Sequence, residues 1–137
     1  MREVERTRFV DAKPAELDRA LSPSAVLEAE GTFTVVDTEA TEEGQRVTAR
    51  GGVETVFVFE SRGDGYDYRQ VGDRGPFESM ETTLTYAARD HGSDVTVRSS
   101  VSLGLPLAAV TDRVAAWKRR GELDRLLDGI AAECESH

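Results

Sequence analysis

The sequence predicts an α+β fold in which a curved antiparallel sheet of six or seven strands surrounds one long C-terminal helix, with two short helices after the first strand. Three observations carry this prediction. Residues 105–133 form the one long stretch with helical periodicity. The stretch before it alternates apolar and polar residues, and Gly- and Asp-containing turns divide it into short segments. Such turns predict hairpins between antiparallel strands, and a single helix covers only one face of a sheet.

The first third of the chain predicts a strand followed by two short helices. Residues 2–11 place Val4 and Val10 on one face of a strand. Pro14 suits the first turn of a helix that runs to residue 21, because its missing N–H has no partner there in any case. Ser22 is expected to cap the second short helix, and Gly31 to end it.

Six further strands are predicted from period-two alternation. One of them contains four consecutive apolar residues from Val56 to Phe59, a pattern typical of a central strand that is covered on both faces. Arg62-Gly63-Asp64 is interpreted as part of the hairpin loop that follows this strand. The six strands are expected at residues 32–38, 45–50, 53–61, 66–71, 77–89 and 94–103.

The C-terminal helix predicts the position of a cavity. Leu107, Val110, Val114 and Trp117 recur at spacings of three and four, so they are expected on one stripe facing the sheet. Because a helix is straight and a strongly twisted sheet is not, space is expected between them. Leu123, Leu126, Leu127, Ile130 and Cys134 continue a stripe beyond Gly121, and the charged residues between, including Asp112 and the Arg119-Arg120 pair, are expected to be solvated.

Length and composition limit the class of protein. The 137 residues suit a single domain, 1–137, and the one cysteine, Cys134, is expected to be a small buried apolar group. No apolar run approaches the roughly 20 residues of a membrane span. The polar N-terminus does not resemble a signal peptide. We therefore expect a cytoplasmic protein without stable membrane insertion.

The charge balance argues against two classes of partner. The chain has 26 acidic and 17 basic residues, with a net charge of −9, which disfavours nucleic acid and anionic membranes as general partners. Only Lys13 and Lys118 are lysines. This acidic, lysine-poor composition is typical of a halophilic protein in a salty cytoplasm, where screening weakens self-repulsion. An ordinary acidic protein from a GC-rich genome is the alternative.

No motif in the chain predicts a metal, a cofactor or a catalytic residue. His91 lies in a predicted hairpin and His137 is the last residue, so neither is expected in a buried pocket. The spacings of metal ligands and of a phosphate-binding loop are not found. Tyr66, Tyr68 and Tyr86 could bind or protonate a carbonyl oxygen. Nothing nearby resembles a base, so we interpret them as core aromatics and leave catalysis open.

Three charged residues lie in the middle of predicted strands. Alternation assigns Arg69, Glu81 and Arg98 to the outer, solvated face of the sheet. A shift of one residue in register would bring them inside, where they would form a charged anchor for a ligand.

The chain resembles the START-like, helix-grip (SRPBCC) superfamily, which includes polyketide cyclase/dehydrase-like proteins and the plant pollen-allergen family. Residues 4–17 (VERTRFVDAKPAEL), residues 75–80 (GPFESM) and the terminal helix carry the resemblance, which extends over nearly the whole chain. Gly75-Pro76-Phe77 and Gly104-Leu105-Pro106 are also similar to carbon monoxide dehydrogenase G-like proteins. Arg19, where an apolar residue is usual, and Ser22, where the family often has Asp before proline, depart from the pattern and leave the subfamily open.

The resemblance implies a hydrophobic cavity for a lipid-like, polyketide-like or other apolar molecule. The first functional hypothesis is a non-catalytic binding protein, favoured by the expected lack of inward-facing titratable groups. The alternatives are a polyketide cyclase or dehydratase, which an inward-facing carboxylate or arginine paired with a tyrosine would support, and an accessory factor for a larger oxidoreductase. Contact with a second copy of the chain or with an accessory partner is left open. The expected ligand-binding residues are Phe33, Phe57, Tyr68, Met80, Leu84, Tyr86, Val97, Val110, Val114 and Trp117.

Overall fold

The structure, a computed structural model, describes residues 2–72, 79–102 and 108–135, and for residues 108–111 the backbone alone. The order of elements is the predicted one. The predicted beginnings of the 77–89 strand and of the C-terminal helix, and the end of the 94–103 strand, lie outside the described residues. The elements are β1 (Arg2–Val10), α1 (Pro14–Ala20), α2 (Pro23–Ala29), β2 (Thr34–Thr41), β3 (Gly44–Gly51), β4 (Val53–Arg62), β5 (Gly65–Val71), β6 (Ser79–Arg89), β7 (Gly92–Ser102) and α3 (Ala108–Glu135).

The strands form one seven-stranded sheet in the order β1-β7-β6-β5-β4-β3-β2. All neighbours are antiparallel, and β2 to β7 follow one another as a meander. The exception is β1, which pairs with the last strand, from Arg2 opposite Val101 to Val10 opposite Ser93. The chain therefore begins and ends its sheet at the same edge, and α3 packs against that edge, contacting β1, β7, α1 and α2. The predicted helix-grip fold is confirmed.

Local chemistry explains several element boundaries. The hydroxyl of Ser22 accepts a hydrogen bond from the Ala25 N–H at 3.1 Å, which confirms it as the cap of α2. Gly44 and Gly65 open β3 and β5 with φ of 144° and 145°. A Cβ at either position would lie 2.0 Å or less from a carbonyl oxygen of the neighbouring strand, so no other residue fits there.

The inner face of the sheet follows the predicted alternation. Phe57 and Phe59 of β4, Tyr68 of β5, and Leu84 and Tyr86 of β6 are buried, and they join Val95, Val97 and Val101 of β7 in one core. Arg69, Glu81 and Arg98 are exposed, as predicted for the outer face. On that outer face Val58 is buried, but Val56 is half-buried and Glu54 and Glu60 are exposed, so the expected cover of both faces of β4 holds only at Val58.

The C-terminal half of α3 faces the sheet as predicted. Leu123, Leu126, Leu127, Ile130 and Cys134 are all buried. At the edge of the sheet, Arg6 and Arg8 of β1 form ion pairs with Asp124 and Asp128 of α3. No helix within the described parts of the chain is both long and apolar enough to span a membrane.

The predicted orientation of the N-terminal half of α3 is wrong. Val114 is 54% exposed and Trp117 is 72% exposed, so neither faces the sheet. The side chain of Val110 lies outside the described residues. An α-helix turns about 100° per residue, so in one unbroken helix Trp117 points about 120° away from Leu123. The prediction assigned one apolar stripe before Gly121 and another after it. In the structure the helix is continuous, so one rotational orientation about its axis applies to both halves.

The same phase brings two charged residues inside. Asp112 is 3% exposed and the side chain of Arg119 is 1% exposed, so the prediction that they are solvated is also wrong. Arg119 lies four residues before Leu123, only about 40° from it around the helix. Ala115 and Ala116 fill the remaining sheet-facing positions of this half. The helix therefore presents large aliphatic side chains at one end and small or charged ones at the other.

Candidate functional site

Buried polar side chains lie between α3 and the inner face of the sheet. They come from the residue that caps the C-terminus of α2, from three adjacent strands and from α3, and all are almost inaccessible to solvent. Arg119 is at their centre, and we refer to them as the Arg119 cluster. Its members are Glu30, Tyr68, Met80, Thr82, Ser99, Arg119 and Glu122.

The guanidinium of Arg119 is fully engaged. Its Nη1 and Nη2 atoms donate to the two carboxylate oxygens of Glu30 at 2.6 and 3.3 Å, a fork-to-fork pair. Nη2 also donates to the hydroxyl of Thr82 at 2.8 Å, and Nε donates to that of Ser99 at 3.0 Å. The Thr82 and Ser99 hydroxyls are 2.8 Å apart. Arg119 therefore joins two helices to the two strands β6 and β7.

Tyr68 is the aromatic member of the cluster. Its hydroxyl donates to Oε2 of Glu30 at 2.5 Å and accepts from Nη2 of Arg119 at 3.3 Å. Its ring stacks on that of Phe59, with centroids 4.4 Å apart and planes 7° from parallel. An inward-facing carboxylate and arginine thus meet a tyrosine, an arrangement that the expected apolar inner face did not include.

Glu122 balances the charge of the cluster. It accepts from Arg119 at 3.2 Å, from Lys118 at 3.1 Å and from the hydroxyl of Thr32 at 3.1 Å. Two cations, Arg119 and Lys118, therefore meet two carboxylates, Glu30 and Glu122. Burial of unpaired charge is costly, and this pairing explains how a charged group can lie in the core.

Sequence reasoning missed this site, although one signal was present. If the Leu123–Cys134 stripe is continued toward the N-terminus of the helix with the same helical period, it includes Arg119. Glu30, its main partner, follows the last turn of α2 and is separated from Arg119 by 89 positions. No local pattern connects two residues so far apart. The expectation that no titratable group faces inward is therefore wrong.

The environment of the cluster shifts two ionisation equilibria. Burial alone would lower the pKa of Arg119, but the negative charge of Glu30, with smaller contributions from Tyr68 and Glu122, more than offsets this and raises the pKa. Burial raises the pKa of Tyr68 well above its ordinary value, and the neighbouring Glu30 carboxylate raises it further. At neutral pH, Arg119 is charged and Tyr68 is a neutral hydrogen-bond donor.

The other two tyrosines lie outside the Arg119 cluster. The Tyr66 hydroxyl donates to the backbone oxygen of Leu21 at 2.8 Å, and that of Tyr86 donates to Asp18 at 2.8 Å. Burial raises the pKa of Tyr66, and the charge of Asp18 adds to it. Burial and then the hydrogen bond to Asp18 raise the pKa of Tyr86.

Alkaline titration should show these shifts directly. All three tyrosines have folded-state pKa values above the ordinary 10.0. The folded chain therefore holds more protons than the unfolded chain as pH rises through 10, and its stability should fall with pH there. We expect less phenolate absorbance at pH 10 in buffer than in denaturant, where about half of each tyrosine is ionised. Equal phenolate absorbance in the two solutions, while circular dichroism in buffer stays native, would contradict the assignment.

Seven of the expected ligand-binding residues have described side chains on the inner face. None is more than 8% exposed, so they pack against one another in this structure. The structure brings them together in one core but separates them from Val114 and Trp117, which are outside. Their contact with a ligand stays a prediction. The seven are Phe33, Phe57, Tyr68, Met80, Leu84, Tyr86 and Val97.

A further polar residue on the inner face, Thr55, lies near the beginning of β4. Thr55 is 1% exposed, and its hydroxyl has no hydrogen-bond partner among the described residues. Phe59 of the same strand pairs with Tyr68, so Thr55 lies four residues from the level of the Arg119 cluster, about 13 Å along a strand. Within the described residues, no three His, Cys, Asp or Glu side chains lie close enough to hold a metal ion.

Known structures share this architecture at low sequence identity. A protein from Thermus thermophilus superposes with a TM-score of 0.72 and 18% identity over 98% of each chain. A START superfamily protein from Mycobacterium smegmatis gives a TM-score of 0.74 and 14% identity over 98% of this chain and 97% of the other. These likenesses show the fold.

The di-domain ARO/CYC protein BexL, from the BE-7585A biosynthetic pathway, is also similar. It gives a TM-score of 0.67 and 22% identity over 98% of this chain and 47% of its own length. A search of curated proteins finds no match. The family described as "Polyketide cyclase / dehydrase and lipid transport" matches residues 1–135. The fold and this nearly complete match together place the chain in one family: it belongs to the polyketide cyclase/dehydrase and lipid-transport family.

Proposed function

We propose that the protein binds a small, mostly apolar molecule that carries a hydrogen-bonding group, between the sheet and the N-terminal half of α3. The observation that carries this proposal is the Arg119 cluster, which places a carboxylate, a phenol and a guanidinium on a mostly apolar inner face. Buried ion pairs rarely add stability compared with apolar side chains of similar size, so a functional reason for one is worth testing.

The shape of α3 supports a ligand on the Thr55 side of the cluster. Here the helix presents Ala115 and Ala116 to the sheet, whereas the other half presents leucines and isoleucine. The Thr55 hydroxyl needs a partner, because an unsatisfied buried polar group costs free energy. A ligand with polar atoms up to about 13 Å apart could reach both Thr55 and the cluster. Since the side chains between are packed, its entry requires α3 to move relative to the sheet.

The family description agrees with an apolar ligand. The family description names lipid transport as well as cyclisation and dehydration. Native mass spectrometry of the protein purified from its own host tests the proposal most directly. A bound mass that is lost on denaturation would support it and identify the ligand class. An empty protein that also fails to bind an apolar probe would refute it.

A cyclase- or dehydratase-type activity is the second candidate. It is favoured by the 2.5 Å hydrogen bond between Tyr68 and Glu30, since a phenol could protonate a carbonyl oxygen while a carboxylate removes a neighbouring proton. We rank it second because Glu30 already holds both Arg119 and Tyr68 and is not free to act as a base. Turnover of a ligand identified by mass spectrometry, abolished by Tyr68→Phe, would reverse this ranking.

Tyr68→Phe should weaken ligand binding without a comparable effect from Tyr86→Phe. Both substitutions remove an inward-facing phenol bonded to a carboxylate, but only Tyr68 belongs to the Arg119 cluster. Nile red, a neutral apolar dye with a carbonyl group, is a suitable fluorescent probe. The Tyr68 hydroxyl would have to turn from Glu30 to the dye's carbonyl, and we expect the Kd of the dye to rise about three- to tenfold in Tyr68→Phe, the value of one hydrogen bond. Equal effects in both variants would place the dye away from the cluster.

A further inference from the structure

Trp117 forms one wall of a groove on the outer side of α3. The groove has a volume of about 390 Å³, within the range of small-ligand sites. It is open to solvent and lies on the side of α3 opposite the Leu123–Cys134 stripe, so it is separate from the interior site proposed above. Its lining residues are Arg6, Trp117, Lys118, Arg120, Gly121, Asp124 and Arg125.

The groove is positively charged although the protein is acidic. Its lining contains four cationic side chains and the carboxylate of Asp124, and Lys118 is paired with the buried Glu122, so the net charge is +2 in a chain whose total is −9. Asp124 is already paired with Arg6. Arg125 donates to the backbone oxygen of Glu30, and neither Arg120 nor Arg125 forms an ion pair with any described residue. The guanidinium charges of Arg120 and Arg125, beside the exposed indole, are therefore available to pair with an anionic ligand.

Gly121 lines the groove, and packing does not require a glycine at this position. A Cβ there would meet only an Arg125 nitrogen at 3.6 Å, an ordinary contact, so alanine would fit. By contrast, a Cβ at Gly129 on the same helix would come within 3.0 Å of Ala29, so packing explains that glycine. Glycine in a helix interior is unfavourable. Because position 121 is one turn after Trp117, its missing side chain leaves the flank of the indole uncovered.

We propose that this groove binds a small planar anion, an aromatic or conjugated ring carrying a carboxylate or phosphate. The ring would stack on Trp117, and the anionic group would bind Arg120 and Arg125. Because the groove carries +2, the rest of the chain has a net charge of −11. A nucleic acid strand or an anionic membrane would extend beyond the groove and meet this negative surface, whereas a compact ligand would not.

The indole N–H resonance of Trp117 is a specific reporter, because the chain contains one tryptophan. The ¹⁵N-labelled protein is titrated with AMP and with 2-naphthoate, which separate a phosphate source from a carboxylate source. Adenosine and inorganic phosphate test the ring alone and the anion alone. We expect saturable shifts with AMP, 2-naphthoate or both, and at least tenfold weaker effects with adenosine or phosphate. Equal shifts with adenosine and AMP would overturn the proposal, as would no shift with either anion.

Substitutions locate the site without disturbing the interior. Gly121→Leu should keep or raise helix stability, since leucine is a better helix former, while its side chain covers the indole. We expect it to weaken binding at least tenfold. Arg120→Gln should weaken it severalfold, and Arg113→Gln, on the same exposed face but outside the groove, should not. Unchanged binding in Gly121→Leu would overturn the proposal. Binding to phosphatidylglycerol vesicles or to an oligonucleotide without any small-anion shift would also do so.

Discussion

Replacing Glu30 by alanine is expected to lower the free energy of unfolding by about 3–5 kcal/mol, because it leaves the charge of Arg119 buried without its main partner. Both side chains of this pair are 1% exposed, so solvent cannot take the place of the carboxylate. Tyr68 would lose its acceptor in the same substitution. Denaturant unfolding monitored by circular dichroism measures the loss.

Two further variants separate the charge from the cavity that the substitution creates. Glu28→Ala changes an exposed glutamate in α2, two residues before Glu30, and should alter stability by no more than about 0.5 kcal/mol. Combining Glu30→Leu with Arg119→Met removes both charges, and most of the lost stability should return, since apolar pairs can replace buried ion pairs. If Glu30→Ala costs as little as Glu28→Ala, Arg119 is not held by Glu30.

Leu126→Ala should destabilise the protein by about 2–5 kcal/mol, whereas Trp117→Ala should change stability by no more than about 0.5 kcal/mol. Leu126 is fully buried on the sheet-facing side of α3, and its truncation leaves a cavity. The larger Trp117 is mostly exposed and packs little against the core. This order is the opposite of the one expected from residue size and from the predicted stripe.

Thermal and denaturant unfolding of the two variants test the orientation of α3. The Trp117→Ala variant should also lose the binding of planar anions while its affinity for Nile red stays unchanged. This combination would show that the substitution affects the groove and not the interior site. A large loss of stability in Trp117→Ala together with a small one in Leu126→Ala would mean that the helix is rotated relative to the sheet. That result would contradict the position of Arg119 as well.

The existence and order of the elements could be predicted from the sequence alone. Strict alternation, as in Val95, Val97 and Val101, is a local pattern with one physical explanation, a half-buried strand. Turn chemistry such as Gly65 and capping such as Ser22 act within a few residues. The outer positions of Arg69, Glu81 and Arg98 followed from the same alternation, and the structure confirms them.

The phase of α3 was predicted correctly in only one half. The leucine stripe was unambiguous, because large apolar residues recur around one side of the helix. In the other half, Val114 and Trp117 suggested an apolar face that the continuous helix turns away from the sheet. A helix is rigid over its length, so the half with the larger apolar area sets the orientation of the whole.

The candidate site was decided by tertiary structure. Glu30, Tyr68 and Arg119 lie in three separate parts of the chain, and each one alone is an ordinary polar residue. Their meeting depends on the packing of α3 against α2 and β7, which brings a carboxylate within 2.6 Å of a guanidinium. Local sequence encodes secondary structure because its interactions are local. A buried polar cluster depends on contacts between residues distant in sequence, and on a core dense enough to exclude water from them.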